Sequence, residues 1–270
     1  MNTPLIDLAE HEIWFRRYAQ TLRGRESSAP GPMDLKLKHT FAVLARARRI
    51  VTEEALPERL TRAAELAALY HDVARFEQYL RWHTFKDSAS VNHGLFGAQL
   101  LKRLNRLDGE AKETRTLVLA AVALHNRYAV PAGVPPEVRL ITCVVRDADK
   151  LDILRVMDEY FSGSKKDGTV VLNVKDEPDK FTPAVLDKAL SGGLASYSQL
   201  RYENDFRVLL GTWIHDLNFA PSRRMMAEEG HIQRILGGLP DMPELTRARD
   251  FLLAQINSGS TAACPRPPQG

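Results

Sequence analysis

The chain has 270 residues, 44% hydrophobic, 26% charged and 7% aromatic, the balance of a globular protein with a sizeable core. No apolar run approaches the roughly 20 residues of a membrane helix, and residues 1–10 lack the basic start of a secretory leader. Two cysteines, Cys143 in an apolar stretch and Cys264 in a Pro-rich tail, exclude a disulfide framework and make the cytoplasm the expected compartment. Thirty-seven basic against 34 acidic residues, net +3, is too even for a nucleic-acid coat yet suits an anionic substrate.

Recurrent Ala, Leu and Arg with few aromatics favour helix over strand. Leu5, Leu8, Ile13 and Phe15 open a first helix that should fade by Gly24. Residues 25–32, with Ser27, Ser28, Pro30, Gly31 and Pro32, read as a loop. A second helix is expected over 33–51, with Leu37, Phe41, Leu44 and Val51 at helical spacing. Pro57 can start the third, because a missing N–H costs nothing in the first turn. There Leu60, Ala64, Ala67, Ala68 and His71 share a face. Residues 72–91 read as less regular. Further helices are expected over 92–105, 110–126 and 136–160, the last two separated by Pro131, Gly133, Pro135 and Pro136. An insert at 162–183 contains Thr169 to Val174, an apolar run suggesting a small hairpin or an ordered lid. Helices should resume over 183–190, 194–217, 221–236 and 242–256. The Ser-, Gly- and Pro-rich tail 257–270 reads as disordered. Residues 1–256 are thus expected to form a single mainly helical domain, without internal repeats.

The chemistry lies in histidines and aspartates. His71 and Asp72 form an adjacent imidazole–carboxylate pair at the end of an Ala/Leu-rich helix. Neighbours diverge on a helix, but at a helix end the second residue can turn so that both reach one ion. Such ligands suit first-row divalent metals, and a thiolate site is excluded for lack of cysteine. His39 lies among apolar residues, His93 shares a helical face with Phe96 and Leu100, and His125 closes the apolar run 117–124. Asp147 and Asp149 both fall within apolar periodicity, where an unpaired carboxylate is expensive and a metal is a favourable partner. Taken singly, a histidine on an apolar face, such as His39 or His125, is more often a hydrogen-bonded core residue than a ligand. Asp147, Asp149 and Asp152 read equally as surface charges pairing with Arg146, Lys150 and Arg155. Their order on consecutive helices favours the metal.

That order, His39, His71-Asp72, His93, His125 and then Asp147 or Asp149, resembles the HD-domain metal-dependent phosphohydrolase superfamily over residues 33–160. The histidines at 93 and 125 match its longer H…HD…H…H…D pattern, associated with two-metal sites. The resemblance implies an all-α, HD-like helical bundle over about 33–160, followed by the 162–183 insert and extra C-terminal helices over 184–256. It implies that His39, His71, Asp72 and Asp149 hold one divalent ion, and that Asp72 bridges to a second held by His93 and His125. Ala148-Asp149-Lys150-Leu151 is similar to the segment bearing the family's last metal aspartate, which favours Asp149 over Asp147. Arg75 stands where many members carry a basic residue, three positions after the HD aspartate. By the same resemblance Asp72, Arg75, His93 and His125 are catalytic candidates, and Arg75, Lys86, Arg127 and Lys150 are candidates for binding substrate phosphate.

The implied activity is hydrolysis of a nucleotide or related phosphate ester by a metal-activated water. The implied cofactor is one or two divalent ions among Mn, Fe, Zn, Co and Ni. The implied partner is a small phosphorylated, nucleotide-like substrate, with no stable nucleic-acid partner and no membrane; homo-oligomerisation is left open. Asn126-Arg127-Tyr128 follows His125, so the Gly-Tyr-Pro element of the cyclic-di-GMP-degrading branch is missing. Two alternatives are a non-catalytic ligand-sensing or partner-binding module and a di-iron HD-type oxygenase. The other histidines carry less. His11 reads as a surface or packing residue, and His231 as a turn residue. His215-Asp216 lacks flanking ligands, and His83 either faces substrate or is a solvated loop residue. No Walker-type phosphate loop and no Gly-x-Ser-x-Gly elbow is present.

Overall fold

Asp7 begins the first helix, its carboxylate accepting from the Ala9 N–H at 3.2 Å. The computed structural model describes residues 7–26, 31–163 and 174–258. Among them the chain is all-helical, without a strand. It divides into two compact units, the first ending at Asp149 and the second starting at Lys150.

In the first unit α1 (Leu8–Arg23) buries His11, Phe15, Ala19 and Leu22, a stripe at i, i+4, i+8 and i+11. Ile13 falls off that stripe and is 50% exposed. Then come α2 (Gly31–Glu53) and α3 (Glu58–Tyr70), the latter preceded by Pro57 as anticipated. Ala63, Ala64, Ala67 and Ala68 are fully buried on α3, which packs against both α2 and α6 (Lys112–Leu124). The small side chains let three helices share one axis of close approach.

Residues 72–91, expected to be irregular, contain α4 (Ala74–Trp82). Its charged residues pair with one another, Arg81 with Glu77 at 2.6 Å, while Ala74, Phe76 and Gln78 are buried. The dense charge hid the helical period. Helix α4 stops at His83, whose φ of 50° is left-handed. A 3₁₀ turn, Asp87–Ala89, leads to α5 (His93–Arg103), where the Asn92 side chain caps the Leu95 N–H at 2.9 Å. Helix α7 (Pro136–Ser162) contains the division between units.

The second unit contains the C-terminal half of α7, α8 (Pro183–Leu190), α9 (Glu203–Thr212), α10 (Ala220–Glu228), α11 (His231–Gly237) and α12 (Pro243–Ser258). The single helix expected over 194–217 is instead α9 flanked by two 3₁₀ turns, Tyr197–Gln199 and Trp213–Asp216. The buried Asp205 carboxylate decides this. It accepts from the N–H groups of Arg201 and Tyr202 and from the N–H and hydroxyl of Thr182, tying α9's entry to the start of α8. The helix expected over 221–236 is two, because Gly230 between α10 and α11 has φ 71°. The Thr169–Val174 hairpin or lid falls almost wholly outside the described residues; after it, Lys175 makes an isolated parallel bridge with Tyr202. Helix α12 takes in Asn257 and Ser258, and the rest of the tail lies outside the described residues. No described helix is long and apolar enough to cross a membrane.

Candidate metal centre

The ends of α3, α5 and α6 and the middles of α2 and α7 bring six side chains of the first unit together. His71 follows the last residue of α3, Asp72 follows it, His93 opens α5, His125 caps α6, His39 comes from α2 and Asp149 from α7. Helix ends leave backbone carbonyls without intrahelical partners. Two of these carbonyls orient ligands. His71 Nδ1 donates to the Ala68 carbonyl at 2.7 Å and His125 Nδ1 to the Val122 carbonyl at 2.8 Å. His93 Nδ1 donates instead to the Asp87 carboxylate, 2.7 Å from Oδ2 and 2.9 Å from Oδ1. With Nδ1 carrying the proton, each Nε2 presents a lone pair.

The two oxygens of Asp72 face different histidine pairs. Oδ2 lies 3.6 Å from His71 Nε2 and 3.7 Å from His39 Nε2. Oδ1 lies 3.4 Å from His93 Nε2 and 3.9 Å from His125 Nε2. Within the pairs, the Nε2 atoms are 3.4 Å apart for His39 and His71 and 3.1 Å for His93 and His125. Asp149 Oδ1 completes the first pole, 3.0 Å from His39 Nε2 and 3.9 Å from His71 Nε2. Ligands about 2.0–2.2 Å from a common ion stand roughly 3.0–3.6 Å from one another. The donor atoms are thus spaced as edges of a coordination polyhedron, in two groups that share Asp72. The facing lone pairs of His93 and His125 repel unless a cation lies between them, so the residues fit a metal.

Electrostatics agree. Burial lowers the pKa of His71, and it lowers those of His93 and His125 to about 4, helped by Arg75 beside His93 and by His71 beside His125. These imidazoles are therefore neutral ligands near pH 7. Burial alone would raise Asp72, but Lys36, His71 and Arg75 outweigh it and hold the carboxyl well below its usual range. Burial likewise opposes ionisation of Asp149, and the His39 hydrogen bond outweighs it. His71, His93 and His125 as neutral imidazoles and Asp72 and Asp149 as carboxylates are thus in their metal-binding protonation states.

Among the phosphate-binding candidates, Arg75 lies against the cluster. Its Nε donates to Asp72 Oδ1 at 3.2 Å, and Nη1 donates to Asp87, Gln78 and the Phe85 carbonyl. Among the described residues these bonds engage Nε and Nη1 but not Nη2. Lys86 and Arg127 are exposed. Lys150 belongs to the second unit, where it pairs with Asp216 at 2.9 Å. Asp147 is fully buried, and Asp152 takes a two-point salt bridge from Arg155.

Four participants escaped the sequence reading. Lys36 donates to Asp72 Oδ2 at 2.7 Å; its i, i+3 spacing to His39 was the available signal. Asp87 and Asn126 flank His93, with Asn126 Nδ2 donating to Asp87 Oδ2 at 3.1 Å. Buried Arg146 gathers the carbonyls of His125, Arg127 and Tyr128, holding the chain that follows α6. Of its two readings, surface or packing, His11 takes the second: it is wholly buried between the Tyr70 hydroxyl and Glu110. His83 is exposed, His231 pairs with Asp158, and His215 sits on a 3₁₀ turn of the second unit.

Residues 37–154 match the family described as HD domain, a match that takes in all six donors of the cluster. No curated protein and no solved structure matches the chain.

Proposed function

From the HD domain that this chain carries, the domain of a superfamily of metal-dependent phosphohydrolases, we propose that the protein hydrolyses a phosphate ester, a nucleotide or a related compound. The observation that carries the proposal is the division of Asp72, one oxygen toward His39 and His71 and the other toward His93 and His125. Divalent ions held there (Mn, Fe, Zn, Co or Ni) supply Lewis acidity and bring the pKa of water towards neutrality.

The chain's own charges explain why ions are needed. Among the described residues Asp72, Asp87 and Asp149 pair with two cations, Lys36 and Arg75, so the bare cluster is net negative and repels phosphate. Loaded with metal it becomes positive and attracts an anion. In our reading Arg75 Nη2 takes a phosphate oxygen, while Nε and Nη1 keep the guanidinium oriented. The Phe85 ring lies 5.5 Å from Lys36 Nζ and 5.7 Å from the Arg75 guanidinium carbon, an aromatic face beside two cations that suits a base next to its phosphate. The neutral His93 and His125 keep protons out of the second pole.

The test is elemental analysis of protein purified without chelator, followed by a screen of phosphomonoesters, phosphodiesters and nucleotides with each metal. Metal-dependent phosphate release is expected. Nucleotide binding without turnover by any loaded form would make the protein a sensor, and dioxygen consumption by an iron-loaded form would make it an oxygenase; either result overturns the proposal.

A further inference from the structure

The histidines of the cluster are backed by different kinds of acceptor. His71 and His125 donate Nδ1–H to backbone carbonyls of their own helices, whereas His93 donates to a carboxylate, Asp87. Asp87 is also the meeting point of a small network. Its Oδ1 accepts from Arg75 Nη1 at 3.0 Å and Gln78 Nε2 at 3.2 Å; its Oδ2 accepts from Asn126 Nδ2 at 3.1 Å and the His93 backbone N–H at 3.3 Å. The carboxylate is therefore fixed from three directions before it fixes the imidazole.

We propose that Asp87 is a positioning residue for His93 that sets the affinity of the Asp72–His93–His125 pole for its ion, separately from the Asp72–His39–His71–Asp149 pole. The inference rests on the metal reading given above. Two physical effects act together. A carboxylate acceptor draws the Nδ1 proton and enriches Nε2, making it a stronger donor to a metal than an imidazole backed by a carbonyl. The two-point contact also locks the ring where its Nε2 meets that of His125 at 3.1 Å. A peptide carbonyl cannot be removed by substitution, but Asp87 can, so the second pole is tunable through a side chain. Arg75 connects that tuning to substrate, because one guanidinium touches Asp87 through Nη1 and Asp72 through Nε.

The experiment is titration of metal-free wild type and Asp87→Asn with Co2+, following visible absorption and bound metal per chain, together with thermal melting of both apo proteins. The wild type is expected to take up two ions. Asp87→Asn should weaken the second ion about 10–100-fold, the usual effect of losing an outer partner of a metal histidine, while first-ion affinity stays within about twofold and Asp87→Glu recovers part of the loss. Asn126→Ser, which removes one support of Asp87 and leaves every ligand in place, should weaken the same ion by less; it carries the test if Asp87→Asn does not fold. Equal weakening of both ions would mark a general structural role and overturn the proposal, as would unchanged affinities or a wild type that binds one ion. A wild type that binds two ions but releases no phosphate would instead refute the function proposed above and leave the Asp87 measurement standing.

Discussion

Glu110 offers a stability test away from the metal ligands. Its carboxylate is 1% exposed and accepts from Arg62 Nη2 at 2.6 Å, Arg62 Nε at 3.3 Å and His11 Nε2 at 3.2 Å. His11 Nδ1 in turn receives the Tyr70 hydroxyl at 2.8 Å, and that hydroxyl accepts from Arg106 Nε at 3.0 Å. Burial alone would raise the Glu110 pKa, but the hydrogen bonds from His11 and Arg62 outweigh it and bring the value from 4.5 to about 2. At about 1.4 kcal/mol per pH unit this is worth about 3 kcal/mol of folding stability near neutrality. The folded pKa lies below the unfolded one, so the contribution is fully present above pH 4.5 and is lost as pH falls toward 2, with about half gone by pH 3. Glu110→Gln keeps the shape and removes the charge. Urea unfolding of both proteins from pH 7 to pH 3, read by tryptophan fluorescence, should show the variant less stable by about 3 kcal/mol at pH 7 and the gap closing through the acid range. Trp14, 6.0 Å from Tyr70, reports on this region. A gap below about 0.5 kcal/mol at pH 7, or one that stays constant down to pH 3, would refute the linkage.

Divalent metal should raise the melting temperature of the apo protein, because ligands from five helices or helix ends are tied together; saturation at about 100 times Kd corresponds to roughly 3 kcal/mol, and identical melting with and without chelator would count against the site. Asp149→Asn should abolish hydrolysis and weaken metal binding at the His39 pole, whereas Asp147→Asn should keep its metal; the opposite pattern in a metal titration would mean that the ligand had been assigned two residues too far along α7. Gly94→Ala should lower stability by about 1–3 kcal/mol and reduce second-pole metal uptake, since a Cβ there would meet the Val122 carbonyl at 2.9 Å and Asn126 Oδ1 at 2.7 Å, forcing α5 from α6; unchanged melting and stoichiometry would contradict it.

The candidate ligands were legible in the sequence because they are a matter of residue type and order. His39, His71, Asp72, His93 and His125 appear in the right succession at the ends or inner faces of helices whose caps and periodicity are themselves visible, as with Pro57 before α3 and Asn92 before α5. Such signals act within a turn or two of chain, at i+3 and i+4, and need no knowledge of neighbours. Where the signal was local but masked, as in α4 with its dense charges, the helix was missed. Asp147 and Asp149 both lay on apolar stripes about 200° apart on one helix, so periodicity could not choose between them; the placement of His39 and His71 against α7 puts Asp149 Oδ1 at 3.0 Å from His39. Asp87 and Gln78 carried no pattern that pointed to the site. The start of α9 was likewise set by Asp205 bonding to Thr182, 23 residues earlier. Tertiary packing decided all of these, because a carboxylate or ammonium becomes a partner only when a distant segment arrives with a complementary group and excludes the water that would otherwise satisfy it.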